Sequence, residues 1–454
     1  MYKVGLYTLG CKVSSYETEA VGERFSSLGF TVAPFDDVCD VYVINTCTVT
    51  AESDAKSRKY IRRAIRKNPS AAVIVIGCYS QRTPDEVAAI EGVGAVIGTR
   101  DKLRAAEYAS LILSLKNGGS FESVAKKLDT PAYLNEKGQI IDVSPLDGTA
   151  FEDMRITHAP RTRGYVKIQD GCECKCTYCA ISSARGPVRS KKKDDVISEV
   201  EALYANGTRE IVLTGIETGS YGRDLSDGTT LAGLIAELND RHSCDRVRLG
   251  SMAPELLGKE FITRVGRLPI IVPHFHISMQ SGSDNVLRKM KRRYSRAAAL
   301  DNIKRIREYM PHVMLTADLM VGFPGETEED FLDTVSFVRE AELLDAHVFA
   351  YSRRDGTPAA DYPDQIPDDV KHRRSAVLID AVKKMQSSVL DGVVSRAAPL
   401  SVVFETRKKD EYRGHSDSYI EVSANASHDV RGEIYSVVPE YHKDGVIYGK
   451  IEIM

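Results

Sequence analysis

Short apolar runs alternate with longer amphipathic stretches through the first part of the chain. KVGLYTL, VYVINT and AAVIVIG read as strands, whereas SYETEAVGERFSSLG repeats its apolar positions at helical spacing. Ser14-x-x-Glu17 at the start of that stretch has the form of a capping box. Alternation of this kind predicts an α/β domain over residues 1–120, a doubly wound parallel sheet with helices on both faces. From 121 to 160 the text turns polar and irregular (SPLDGTAFEDM) and reads as a linker. Between 161 and 388 the β/α alternation resumes. YVKIQ, EIVLTG, RVRLGS, HFHISMQ, VMLTADLMVG and AHVFAYS are strands, each with a helical stretch after it, and six such units predict an open (βα)6 barrel. Residues 389–454 are short strands punctuated by RGHSD, ANASHD and HKDG, a small all-β module. No short-period repeat or low-complexity tract appears.

A length of 454 residues accommodates about three domains at roughly 150 residues each. The 43% hydrophobic and 28% charged content is ordinary for soluble globular protein. No charged leader precedes an apolar stretch, and no apolar run approaches the ~20 residues of a membrane span. The expectation is a cytoplasmic protein without membrane contact, whose thiols stay reduced and whose clustered cysteines bind metal. A net charge of −3 excludes a generally basic coat, so nucleic-acid contact would need local patches. KSRKYIRRAIRK supplies one, with Arg62, Arg63 and Arg66 on a single predicted helix, and KMKRRYSR and KHRR add others. For each run taken alone, a solvated helix face is the competing explanation. The C-terminal module does not add to the patch: residues 388–454 hold eight Lys/Arg against eleven Asp/Glu, with RKK at 407–409 the local exception.

The cysteines change the picture. Four of nine fall in DGCECKCTYCAI, where Cys172, Cys176 and Cys179 are spaced C-x3-C-x2-C behind the first barrel strand. Three thiolates on one loop hold three irons of a [4Fe–4S] cube and leave the fourth open. The two-cluster ferredoxin spacing fails here, with Ala180 after the last cysteine. A structural zinc would want a second CxxC pair or added histidines. Cys174 is poorly placed to share the cube and reads as a bystander. Cys11, Cys47 and Cys78 each close a predicted strand (YTLGC, YVINTC, VIVIGC), and strand carboxyl ends of an open α/β sheet face one crevice. These three can converge there although 36 and 31 residues apart. The alternative, buried cysteines acting as small hydrophobes, makes three strand-end placements a coincidence. Cys39 and Cys244 lie in loop-like contexts and read as structural.

The CxxxCxxC loop with its flanks GYVKIQDGC and CAISSARGPVRS resembles the radical S-adenosylmethionine (SAM) superfamily. Together with the three N-terminal cysteines, QSGSDNVLRKMKRRYS, DLMVGFPGETEEDF and YSRRDGTPAA, it resembles the methylthiotransferase family over essentially the whole chain. The last module resembles the TRAM domain, a small β-barrel associated with RNA binding. LGCKVSSYETE and LTGIETGSYGRD look closest to the tRNA N6-threonylcarbamoyladenosine branch, with Ser14 and Glu217 departing from its usual Asn and His. The branch acting on isopentenyladenosine tends toward GCQMN with D-S-E, and the ribosomal-protein branch toward GCxKN with D-S-E.

The resemblance implies two [4Fe–4S] clusters, one on Cys172, Cys176 and Cys179 with SAM on its open iron, and an auxiliary one on Cys11, Cys47 and Cys78. It implies a SAM-derived radical that takes hydrogen from adenine C2, followed by insertion of a methylated sulfur. The implied partners are a tRNA anticodon loop and an electron donor such as flavodoxin or ferredoxin; the oligomeric state is left open. Glu217, Ser278 and Gln280, and Gly322 lie at barrel strand ends that face such an active site, and are the expected SAM contacts. Glycine there lets backbone approach a ligand, or simply makes a tight turn. Arg185 and Arg189 could pair the SAM carboxylate or an RNA phosphate, with a solvated loop as the alternative. A non-catalytic iron–sulfur electron carrier with an RNA-binding tail is the rival of a different class. It would want every iron protein-ligated, and both triads leave one free.

Overall fold

A computed structural model describes residues 1–129 and 131–452. The N-terminal part is a seven-stranded sheet of β1 Lys3–Thr8, β2 Thr31–Ala33, β3 Val41–Thr46, β4 Ala72–Gly77, β5 Val93–Ile97, β6 Tyr133–Leu134 and β7 Ile140–Asp142. Its order is β2-β1-β3-β4-β5-β7-β6, parallel throughout except for the β6–β7 pair. Every residue of β3 and β4 is buried. Helices cover both faces of the sheet, which is why these strands read as continuous apolar runs. One face packs Val4, Val43, Ile74 and Phe25, and the other Tyr42, Ile44, Val75 and Ile61.

Two expectations are corrected here. The helix after β1 begins at Lys12 and runs to Ser27, with Cys11 at its N-cap and no side-chain cap bond. Ser14 and Glu17 therefore lie inside it and form no capping box; Glu17 is wholly buried among cations. The stretch 121–160 is not linker throughout. It carries the helix Phe121–Ala125 and the strands β6 and β7, because the short apolar run around Ile140 and Ile141 buries against β5. The irregular remainder is anchored by Met154 and Ile156 in the barrel core.

In the barrel, β8 (Arg163–Lys167) is followed by a two-residue hairpin of β9 (Gln169–Asp170) and β10 (Arg189–Ser190), which brackets the cysteine loop. The remaining strands are β11 Glu210–Thr214, β12 Arg246–Leu249, β13 His274–Gln280, β14 Met314–Val321 and β15 Asp345–Ala350. They form two parallel three-stranded sheets, β8-β11-β12 and β13-β14-β15. Isolated bridges Val247↔Ile271 and Met252↔Ile277 join them, giving six strands in sequence order and an unclosed barrel.

A 29-residue helix, Asp368–Arg396, crosses the expected 388/389 boundary and ends at Ala397 in the left-handed conformation. Beyond it β16 Leu400–Lys408, β17 Glu411–Ser416, β18 Glu421–Asn425, β19 Ile434–Lys443 and β20 Val446–Ile451 close a TRAM-like five-stranded barrel in the order β16-β17-β18-β20-β19. Among the described residues no helix is long and apolar enough to cross a membrane.

Candidate active site between two cysteine triads

Cys11, Cys47 and Cys78 follow β1, β3 and β4, which are immediate neighbours in the sheet. At a strand spacing of about 4.8 Å, three neighbouring strand ends lie within about 10 Å. Two glycines make the exits possible. Gly10 has φ +112°, and a Cβ on it would lie 3.1 Å from the Cys47 Cβ. Gly77 has φ +101°, and a Cβ there would meet Asn45 Oδ1 at 2.5 Å and Thr46 O at 2.7 Å. Cys11 is exposed, Cys47 and Cys78 buried. Burial pushes the Cys47 thiol up to about 11. It raises that of Cys78 too, against the pull of Arg185, whose Nε donates to Cys78 Sγ at 3.2 Å. The three sulfurs do not all fall within 4.8 Å of one another, too wide a set for one tetrahedral zinc with Zn–S near 2.3 Å. A cube, which takes one thiolate per iron, suits the wider set.

The second triad hangs on the loop between β9 and β10. Thr177 fixes that loop: its N–H donates to Met290 O at 3.1 Å, its hydroxyl to Lys289 O at 2.9 Å, and its carbonyl accepts from Ala359 N at 2.8 Å. Two sulfurs accept hydrogen bonds, Cys176 Sγ from Arg292 Nη1 at 3.3 Å and Cys179 Sγ from Ile181 N at 3.4 Å. Such contacts orient cluster ligands and tune the cluster they hold. Cys174 is less remote than its bystander reading implies, since Cys172, Cys174 and Glu217 bring ligand atoms within 4.8 Å of one another. Burial, then the neighbouring Cys174, pushes the Glu217 carboxyl up to about 7. Its buried Oε1 has no hydrogen-bond partner, an orphaned acceptor where a polar cofactor group fits.

Other expected contacts are placed differently. Arg185 faces neither a SAM carboxylate nor RNA. It is fully buried, and its guanidinium is spent on Glu17, on Asp170 at 3.2 Å and on Cys78. Arg189 is buried as well, donating to Thr149 Oγ1 and Arg185 O at 2.7 Å. Gly322 makes a turn with φ +71°, and its amide is taken by Glu326 Oε2 at 2.8 Å, so it is not free for a ligand. Ser278 and Gln280 stay at the strand end. The Ser278 carbonyl accepts from Arg292 and Tyr294, and Gln280 sits at φ +68° after the β13 irregularity.

The helix Ala51–Lys67 runs back from Cys47, so Arg62, Arg63 and Arg66 sit at its far end, about 17–22 Å along the axis. Arg63 pairs with Asp36, while Arg62 and Arg66 are exposed beside Glu86 and Glu91. The structure does not bring them to either triad. Reading KMKRRYSR only as a charge run missed Arg292, and reading KHRR that way missed Arg374, which is buried on Glu326 at 2.8 Å. Sequence reasoning also missed the cavity of about 470 Å³ between Cys11, Cys47 and the barrel interior.

A Radical SAM superfamily profile matches residues 166–338, and that of the uncharacterized protein family UPF0004 matches residues 3–98. The Bacillus subtilis (strain 168) protein named threonylcarbamoyladenosine tRNA methylthiotransferase MtaB is 39% identical over 441 residues, 96% of this chain and 93% of its own. The Clostridioides difficile (strain 630) protein named tRNA-2-methylthio-N(6)-dimethylallyladenosine synthase is 30% identical over 406 residues, 89% of this chain and 81% of its own. Among solved structures, the radical S-adenosylmethionine methyltransferase TsrM of Kitasatospora setae, with cobalamin and a [4Fe–4S] cluster bound, shares the fold. Its TM-score is 0.56 at 17% identity, covering 79% of this chain and 77% of its own. With the barrel, the N-terminal domain and near full-length relatives in agreement, the chain belongs to the radical SAM tRNA methylthiotransferases, a family that uses SAM and [4Fe–4S] clusters.

Proposed function

We propose that this enzyme replaces the C2 hydrogen of N6-threonylcarbamoyladenosine, next to a tRNA anticodon, by a methylthio group. Cys172, Cys176 and Cys179 hold the cluster that binds SAM, with Glu217, Ser278 and Gln280 around it, and Cys11, Cys47 and Cys78 hold the auxiliary cluster. Bound there, SAM and the barrel cluster supply the one-electron chemistry that takes hydrogen from an unactivated C–H, which acid–base groups cannot do. The chain's own residues do the rest. Arg292 and Arg185 donate to Cys176 and Cys78 sulfurs, fixing ligand orientation. The cavity walls shield the reacting edge from water. A single-stranded anticodon loop, whose bases splay out of the stack, enters between the N-terminal domain and the barrel. A cytoplasmic flavodoxin or ferredoxin is the reductant.

The observation that carries this reading is the cavity itself. Cys11 and Cys47 line one wall, and Thr214, Ser251 and Thr316 of the barrel line the other. One base placed there meets both domains. The test is reconstituted enzyme with SAM, reductant and tRNA bearing either threonylcarbamoyladenosine or isopentenyladenosine, digested and analysed for thiomethylated nucleosides by mass spectrometry. The 2-methylthio product should form from the first. Product from the isopentenyl tRNA alone would reassign the branch.

A further inference from the structure

We infer that Lys12 is the specificity-determining cation of this site, placed in the cavity to bind the carboxylate on the substrate's N6 side chain. The inference rests on the threonylcarbamoyladenosine reading and deepens it. Lys12 directly follows Cys11, is half-buried, and lines the 470 Å³ cavity. Arg163 and Arg248 face it as like charges, and both are already satisfied, Arg163 by Glu405 at 3.0 Å and Arg248 by Glu210 at 2.6 Å.

Asp345 and Asp318 line the cavity too; Asp345 Oδ1 accepts from Ala346 N at 2.8 Å, and both oxygens of Asp318 are occupied. Oδ2 lies 3.1 Å from His276 Nε2, and Oδ1 3.1 Å from His347 Nδ1. Among the described residues no carboxylate lies within 4.0 Å of the Lys12 ammonium. A half-buried ammonium that faces like charges and has no carboxylate at ion-pair distance is placed to take an anionic ligand.

Three chemistries could provide that anion: the substrate carboxylate, an RNA phosphate, or the carboxylate of SAM. Position favours the first. Cys11 and Cys47 share the cavity with Lys12, so an oxyanion on Lys12 belongs to whatever presents its reacting atom to that triad. Glu217, with its orphaned oxygen, is on the opposite loop beside Cys172. The rest of the lining is polar as well: Thr214 and Ser251 supply hydroxyl-bearing side chains, whereas the Thr316 hydroxyl is held between His274 and His276 at 3.0 and 2.8 Å. An apolar isopentenyl chain would desolvate the Lys12 ammonium without pairing it, a selection against it as well as for the acid.

The test uses reconstituted full-length protein and synthetic anticodon stem-loops carrying threonylcarbamoyladenosine, its carboxamide analogue, or unmodified adenosine. Wild type should bind the carboxylate form about 10- to 100-fold more tightly than the carboxamide, the size expected for one charge-assisted contact. Lys12→Met should bind the two equally, and Lys12→Arg should restore the preference. Equal binding of both by wild type overturns the assignment whatever the variants do. So does a Lys12→Met protein that keeps the preference, or one that weakens all three stem-loops alike, which would mark a phosphate contact. A Lys12→Met protein whose KM for SAM rises while stem-loop preference persists would give Lys12 to SAM instead. If wild type thiomethylates no threonylcarbamoyladenosine tRNA, the function reading fails on its own; if it does and ignores the carboxylate, only this inference fails.

Discussion

Replacing Glu17 by Gln should destabilise the protein more than replacing Arg185, although the two are partners. Glu17 lies wholly buried at the junction of the N-terminal domain and the barrel, accepting from Arg185, from Lys167 Nζ at 2.8 Å, and with Lys102 Nζ at 3.2 Å. Asp170 adds a second carboxylate, 2.6 Å from Lys167 and 3.2 Å from Arg185, and Glu152 a third, 3.6 Å from Lys102. Arg189, 3.6 Å from Asp170, completes four cations against three carboxylates. Burial alone would raise the Glu17 carboxyl, but Arg185, Lys102 and Lys167 hold it well below the usual range. Glu17→Gln leaves two carboxylates against four buried cations, and breaking a buried pair in this way costs about 3–5 kcal/mol. Arg185→Met leaves three against three, so its cost is nearer the 1–3 kcal/mol of unmet hydrogen bonds. The double variant restores the original excess of one cation and should fall short of the sum by about 0.5–3 kcal/mol. Urea unfolding of the reconstituted protein, read at its first transition because three domains need not unfold together, measures all three. Equal single costs that add in the double variant would refute the charge argument.

Acidification should loosen the same junction. Glu17 and Asp170 both titrate below their ordinary values, so their contribution is complete above about pH 4 and is lost as pH falls from there; the pH dependence of the urea midpoint should be shallower in Glu17→Gln. Anaerobic reconstitution should load about eight irons, two cubes of four. Alanine at Cys172, Cys176 and Cys179 should leave about four, and Cys174→Ala should keep all eight by iron assay; absence of a cluster from the Cys174 variant would make that residue a ligand. Charge reversal of Arg62 and Arg66 should lower the salt slope of tRNA binding by about one unit for each phosphate no longer neutralised. Reversal of Arg63, already paired with Asp36, should change it less; an unaltered slope in the Arg62/Arg66 variant marks a solvated face.

What the sequence disclosed follows from which signals are local. VYVINT, a mostly apolar run buried on both faces, and HFHISMQ, which alternates apolar with polar positions, both carry a local signal, and their observed limits match the quoted runs. Edge strands are short and half-exposed, so TVA at 31–33 and YL at 133–134 carry no comparable signal. The cysteine loop is legible because its cysteines are close in sequence, and the N-terminal triad because strand ends in a parallel sheet share an edge. The charged residues misled, for charge in a sequence reads as surface. Arg185, Lys102 and Lys167 are among the most buried side chains of the molecule, all on Glu17, which Arg185 and Lys167 reach from the other domain. No spacing rule links Glu17 to a residue 168 positions away.

That buried network answers a demand of the chemistry. In the proposed reaction hydrogen removal and sulfur delivery act on one carbon from two domains, and reacting atoms need to approach within about 3–3.5 Å. A flexible pairing of domains, held by exposed ion pairs worth under about 1 kcal/mol each, would let the two triads drift by more than that. Instead each buried N-terminal cysteine lies beside an interdomain anchor. Next to Cys78, Arg185 reaches from the barrel to the sulfur and to Glu17, and Thr99 Oγ1 donates to Ala184 O at 2.8 Å. Next to Cys47, Arg354 extends from beyond β15 to Thr48 Oγ1 at 2.8 Å and to Asp54 in the first turn of the following helix. Tyr16, one turn and a half along the helix from Cys11, donates to Met154 O at 2.7 Å and to Glu199 Oε1 at 2.9 Å. Each strand end that carries a cysteine is thus fixed to the second domain within a few residues of its sulfur. The geometry between the triads is therefore set by buried, directional contacts before any substrate arrives.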